Sequence, residues 1–401
     1  MVKPFTGQFT QQEALPDEAI EQAVRVMRSG RLHRYNVVGD EHSAASSLEA
    51  KYARHQGAKY CLACTSGGYA MSLALRAAGV KPGDRVLTNG FTLAPVPGAI
   101  AAVGAEPVLV EITSDLVIDL HDLEIKIDSS GSRVLLLSNM RGHLCDMEAL
   151  AALCERKDVA LIEDCAHTMG ASWNGKLSGS FGIAGCFSTQ TYKHLNSGEG
   201  GLLTSDDPEF MARAIILSGS YMLYDLHGAA PDAAYFENIK LDTPNMSGRM
   251  DNLRASILIP QLEHLNDNIA RWNERYDLIA AHFVAESSIA IAHRPSAESY
   301  VGSSIQFRVP GLGNSNLREL VAMAKSLGVD LKWFGDTEPV ADTSHHHSWR
   351  YVSPQDLPTT DEVLKTLFDI RIPLTFSAED CAQIAEIIVQ CVSSLSHRGA
   401  A

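Results

Sequence analysis

The densest concentration of reactive side chains in this 401-residue sequence lies between positions 161 and 207, LIEDCAHTMGASWNGKLSGSFGIAGCFSTQTYKHLNSGEGGLLTSDD. An apolar run ends on Asp164, His167 follows three positions later, and Ser188 precedes Lys193 by five, ahead of the glycine-rich NSGEGG. A lysine amine condenses with an aldehyde as an imine. A carboxylate facing a pyridine nitrogen keeps that ring protonated and able to absorb carbanion electrons. Lys193 and Asp164 are the residue types those two parts require, and the group they point to is pyridoxal 5'-phosphate (PLP). His167 can lie beside or over such a ring, Ser188 can reach a phosphate oxygen, and NSGEGG lets the backbone turn tightly around the site. Each residue also has a plainer reading: Asp164 as a helix N-cap, His167 as structural, a loop lysine as a solvated charge. Only the joint arrangement supports the chemical one.

A second segment, KYCLACTSGGYAMSLALRAAG, reads as a strand ending in Thr65-Ser66-Gly67-Gly68 and opening a helix. Free amides and the helix dipole at Gly67 and Gly68 suit a phosphate, although such a turn is often only a turn. It matches neither GxGxxG nor a Walker sequence, which argues against nucleotide cofactors. Cys61 and Cys64 form a CxxC, but no second CxxC or His pair follows at zinc spacing, and the segment reads as buried strand. The triplet His345-His346-His347, in a Thr/Ser/Asp loop, is read as solvated or as part of a substrate entrance, and no metal is expected.

The elements that must position these groups alternate strand and helix: KYCLAC, a helix from Gly68, RVLT, AIAAV, EPVLVEI, DLHDLEIKI, RVLLLS, DMEALAALCERK and VALIED. That rhythm predicts an α/β domain with a mostly parallel sheet, preceded by an amphipathic helix from Ala14 to Gly30. A long helical stretch from Met250 to Val284 closes it. The predicted division is 1–285 for the large domain and 286–401 for a smaller α+β domain built from SIQFRV, NLRELVAMAKSLG, VDLKWF, TDEVLKTLF, DIRIPL and a closing helix. With 45% apolar residues, 20% charged and a net charge of −15, the chain has ample core and no electrostatic footprint for nucleic acid. No signal-peptide core opens it and its apolar runs are broken by Pro, Gly and Glu, so a soluble cytoplasmic protein without a membrane partner is expected.

Together these segments resemble the DegT/DnrJ/StrS family of fold-type-I PLP enzymes, best known as sugar aminotransferases. The likeness covers most of the chain, from SGRLHRY and SLEAKYARHQGAKYCLACTSGG through GDRVLTNGFTLAPVPGAIAAVGAEPVLVEI and RGHLCDMEALAALC to EDCAHTMGA, CFSTQTYKHLNSGEGG and SGRMDNLRASILIPQL. It implies that Lys193 forms the Schiff base, Asp164 pairs with the pyridine nitrogen, His167 flanks the ring, and Ser188 with the Gly67 and Gly68 amides holds the phosphate. It also implies a homodimer in which a polar residue of the partner chain, here Asn245 or Ser247 in PNMSGRMDN, completes the phosphate site. Two positions depart from the family pattern: Gly68 stands for a threonine, and Leu93 stands where an aromatic commonly stacks on the ring, with Phe91 the alternative. The C-terminal third, VDLKWFGDTEPVADTSHHHSWRYV above all, fits less well.

The activity so implied is transamination, from glutamate or glutamine to a carbonyl acceptor such as a keto-sugar or polyol ketone. A non-sugar aldehyde or ketone is the alternative acceptor. A dehydratase of the same family would carry histidine in place of Lys193, and a non-catalytic PLP-binding sensor would be expected to carry an appended DNA-binding domain.

Overall fold

The computed structural model describes residues 3–336, 338 and 345–399. Seven short runs build the large sheet: β1 (Tyr60–Cys64), β2 (Arg85–Asn89), β3 (Glu106–Val110), β4 (Val134–Ser138), β5 (Ala160–Asp164), β8 (Ala184–Ser188) and β9 (Gly201–Ser205). The order is β1-β9-β8-β5-β4-β2-β3. The two-residue strands β6 (Ser172–Trp173) and β7 (Lys176–Leu177) form a side ribbon with β11 (Glu298–Ser299). Every residue of β4, β8 and β9 is buried, as expected when helices cover both faces.

All pairings in the large sheet are parallel except those of β9, which is antiparallel to both β1 and β8. The reversal has a simple origin. Consecutive strands lie parallel only when a long crossover returns the chain to the starting edge, as residues 165–183 do between β5 and β8, whereas the shorter β8–β9 connection turns back at the edge it left. That connection, residues 189–200, carries Lys193.

The helices follow the capping chemistry of their ends. The first, α1 (Asp17–Ser29), stops at Gly30, whose φ of 70° is left-handed. In α2 (Ala44–Gln56), Ser43 accepts the Ser46 amide, and in α3 (Gly67–Ala77) Ser66 accepts the Tyr69 amide. The sheet is further covered by α4 (Pro95–Ala102), α5 (Leu120–Ser130), α6 (Met147–Arg156), α7 (Pro208–Ser218) and the short α8 (Ala234–Glu237). The stretch expected as one long helix is two, α9 (Asn252–Glu263) and α10 (Leu265–Val284), meeting at His264. Pro260 sits inside α9 and removes a backbone donor just before the break.

A four-stranded antiparallel sheet, β10 (Ala290–Ile291), β12 (Ser304–Arg308), β14 (Leu367–Arg371) and β13 (Lys332–Trp333) in that order, carries α11 (Asn314–Ser326), α12 (Pro358–Lys365) and α13 (Ala378–Gly399). Its core joins Phe307, Phe368, Leu320 and Ile388 to Phe5, Phe9 and the last turns of α10 through Tyr276, Ile279 and Phe283.

Register decides where the chemistry stands. Ser138 pairs with Asp164, Asp164 with Cys186, and Ser188 with Gly201, which also faces Cys64. The carboxyl ends of β1, β4, β5 and β8 therefore meet at one edge, where open α/β sheets keep their ligands.

Candidate active site

A cavity of about 570 Å³ opens at that edge. Of the residues singled out in the sequence, Gly67, Gly68, Leu93, Asp164, His167, Ser188 and Lys193 all line it. Asn245 does not: it is exposed, at the 241–251 segment that leads into α9. Phe91, the alternative to Leu93, is fully buried and packs edge-on against Phe334, so Leu93 is the one that faces the cavity.

Asp164 ends β5 and is 7% exposed. No helix follows it, so the N-cap reading fails. Its Oδ1 accepts the Ala166 amide at 3.1 Å in a turn, and its Oδ2 accepts the Ser138 hydroxyl at 3.2 Å. Burial pushes its carboxyl above the ordinary range, and these two donors and the Lys193 charge offset only part of that. It has no ion-pair partner among the described residues. A buried carboxylate bordering a cavity without a matching cation suits a protonated ring nitrogen.

Lys193 Nζ lies 2.8 Å from His167 Nε2. Enclosure pushes the His167 pKa well below its usual value, and the neighbouring charges of Lys193, Arg141 and Arg371 push the same way, so the imidazole is neutral near pH 7. A neutral ring accepts the lysine hydrogen bond at Nε2.

The phosphate end is equally defined. The first-turn amides of α3 at Gly67 and Gly68 are donors that a helix cannot satisfy internally. A Cβ on Gly67 would stand 2.8 Å from the Ser188 Cβ, so glycine is what lets Ser188 approach the helix start, whereas a Cβ on Gly68 would meet nothing closer than 3.9 Å. The glycine run after Lys193 serves both turning and closeness: Gly198 has a left-handed φ of 78°, and a Cβ on Gly201 would come within 2.3 Å of the Ser66 backbone. Hydroxyl, amides, carboxylate and amine thus surround one space of the right chemistry for PLP.

Other groups on the cavity wall escaped sequence reading. Ser138 was detectable in principle, since it ends an apolar strand as Asp164 does. Arg141, Arg371, Trp272 and Phe9 come from separate segments and carry no local signal. Cys61 and Cys64 are buried free thiols, and burial raises both, Cys64 to about 12, which leaves them unreactive. The solvated reading of the histidine triplet needs correction at one position. His346 is 5% exposed, and its Nε2 lies 2.8 Å from Asp361 Oδ1, while His347 reaches Asp361 Oδ2 at 3.1 Å.

This fold and this wall define a fold-type-I, PLP-dependent aminotransferase. The chain belongs to the DegT/DnrJ/EryC1/StrS aminotransferase family, whose model matches residues 14–389. It is 33% identical over 274 residues to a pleiotropic regulatory protein of Geobacillus stearothermophilus, covering 68% of this chain and 67% of that one. It is 32% identical to the UDP-2-acetamido-2-deoxy-3-oxo-D-glucuronate aminotransferase of Pseudomonas aeruginosa, over 72% of this chain and 77% of the other. Some curated relatives are matched over as little as 47% of their length. Among solved structures, 3-amino-5-hydroxybenzoic acid synthase superposes with a TM-score of 0.81 at 26% identity, covering 98% of this chain and all of that one. Among the described residues no helix is long and apolar enough to cross a membrane.

Proposed function

We propose that the chain transfers an amino group from glutamate or glutamine to a keto-sugar or related polyol ketone, with Lys193, Asp164 and His167 as its catalytic residues. The observation that supports this most is the 2.8 Å contact of Lys193 Nζ with His167 Nε2 in the cavity that Asp164 also borders. Bound PLP supplies the electron sink for the carbanion. Asp164 holds a proton at the ring nitrogen. His167, neutral, orients the lysine amine through Nε2 and covers one side of the ring. Lys193 Nζ would hold the coenzyme as an imine and, as a free amine, would serve as the base that moves the proton of the donor α-carbon. Ser188 and the Gly67 and Gly68 amides would hold the phosphate, with Leu93 on the cavity wall beside the ring.

The working unit is proposed to be a cytoplasmic homodimer, with Asn245 or Ser247 of one chain reaching the phosphate of the other. Both are exposed and stand off the cavity of their own chain, as a cross-subunit contact requires. We keep 1–285 and 286–401 as the domain division, with Phe5, Phe9 and the end of α10 packing onto the C-terminal core.

The test is spectroscopic. The visible band of the lysine-bound cofactor should disappear on adding glutamate or glutamine and return on adding a keto acid. A band that neither donor changes would mark a binding protein without turnover. Separate Asn245→Ala and Ser247→Ala variants, followed by PLP titration and sedimentation, test the interface. Unchanged PLP affinity in both would remove these residues from the phosphate site.

A further inference from the structure

Two guanidinium groups stand where the cavity holding Lys193 opens into a second one of about 690 Å³. Arg141 and Arg371 line both cavities, whereas Gly67, Gly68 and Ser188 line only the first, so the arginines lie away from the phosphate end. We propose that Arg141 and Arg371 bind a carboxylate on the amino acceptor, which makes the acceptor an acidic keto compound and not a neutral one. This rests on the aminotransferase reading above.

Arg141 is fixed in place. Its φ of 56° is left-handed, a conformation residues with a Cβ rarely adopt, and the residue is 6% exposed. Its Nη2 lies 3.0 Å from Asp369 Oδ2, and the Phe334 ring sits 5.9 Å from its guanidinium carbon. Its Nε has no hydrogen-bond partner among the described residues. Arg371 ends β14, half-buried, with its guanidinium 4.2 Å from the Tyr192 ring centre and no carboxylate partner among the described residues. Further out, the cations are balanced: Arg318 pairs with Asp336 at 3.2 Å, and Asp330 and Glu338 share the wall with Lys325 and Lys332. Among the described residues the cationic excess lies at the junction, where Arg141 and Arg371 face the single carboxylate of Asp369.

Transamination places two substrates in one cavity in turn. The donor amino acid brings a carboxylate of its own, and after it leaves the acceptor meets the same guanidinium groups. Arg141, tied to Asp369 and enclosed, cannot swing into solvent to suit a neutral molecule. A neutral acceptor would leave the half-buried Arg371 without a counter-charge, whereas a carboxylate takes the charge-assisted hydrogen bonds that Arg371 offers beside the Asp369-paired Arg141.

The experiment uses the PLP-loaded protein and matched probes. By calorimetry, cyclohexanecarboxylate should bind about tenfold or more tightly than cyclohexanemethanol. In single turnover, the pyridoxamine form should regain the visible band about tenfold or more efficiently with 3-oxocyclohexanecarboxylate than with 3-(hydroxymethyl)cyclohexanone. Both preferences should collapse in Arg371→Gln, which leaves the Arg141–Asp369 pair intact, and in Arg141→Gln, while Arg141→Lys keeps part of them. Equal binding of the two calorimetric probes by wild type would overturn the proposal. So would glutamine variants that slow only the glutamate half-reaction, since the arginines would then serve the donor alone. Failure of the underlying reading is distinguishable: neither glutamate nor glutamine would bleach the band, and the idea of an acceptor site would fall with it.

Discussion

Lys193→Ala should give a folded protein with no visible band of lysine-bound cofactor and no complete cycle, because no other amine lines the cavity among the described residues. A visible band in that variant would sink the assignment. Asp164→Asn should retain PLP, since the phosphate contacts are elsewhere, yet lose turnover by about a hundredfold or more as the ring nitrogen loses its partner. Steady-state rates beside a PLP titration check both halves of that statement. At this scale the sequence was informative where chemistry is local: Asp164, His167, Ser188 and Lys193 fall within 30 residues. It was silent on Arg141 and Arg371, because an arginine after an apolar strand looks alike whether it meets solvent or a buried aspartate 228 positions away.

At the scale of elements, the start of α3 offers a paired test. Gly67→Ala should weaken PLP binding by about tenfold or more, because its Cβ would stand 2.8 Å from the Ser188 Cβ and part the hydroxyl from the helix amides. Gly68→Thr should bind PLP at least as tightly as wild type, since a Cβ there meets only ordinary van der Waals neighbours at 3.9 Å or more and a hydroxyl is added. Equilibrium titration of both variants decides, and equal affinities would detach the phosphate from this helix.

A second element-scale device holds the chain entering α2 against β1. Arg34 donates to both oxygens of Glu49 at 2.8 Å, both side chains fully buried, and Glu49 also accepts the amides of Ala63 and Gly228. Burial works against the Glu49 charge, but Arg34 and His227 outweigh it and hold the carboxyl far below the usual range. Glu49→Gln should therefore cost about 3–5 kcal/mol in chemical denaturation, by stranding a buried guanidinium.

For the whole molecule, acid sensitivity follows from buried histidines. Burial lowers His143, His167, His194 and His227, His194 to about 3. An unfolded chain takes up these protons below about 6.5, while the folded one refuses them. The stability they confer is thus complete above the unfolded value and lost as pH falls toward the folded one. Between pH 6.5 and 5 the loss should approach about 1.4 kcal/mol per pH unit for each fully neutral buried histidine. Glu49 adds its own loss only lower, below the unfolded carboxylate value near 4.3. Denaturation curves at pH 7, 6 and 5 check the window, and a flat profile would contradict it.

By itself the sequence determined the α/β character with its mostly parallel sheet and set the reactive residue types between β5 and β9, because hydrophobic periodicity and the order of reactive types are properties of neighbouring residues. Tertiary structure alone decided four things. Strand β9 runs backwards because the short β8–β9 connection turns back at the edge it left. Leu93 faces the cavity because Phe91 finds Phe334 in the core. His346 is buried because Asp361, 15 residues on, turns back to meet it. The cationic junction exists because β4 and β14 bring Arg141 and Arg371 to one mouth, through contacts between residues too far apart in sequence for any local pattern to record.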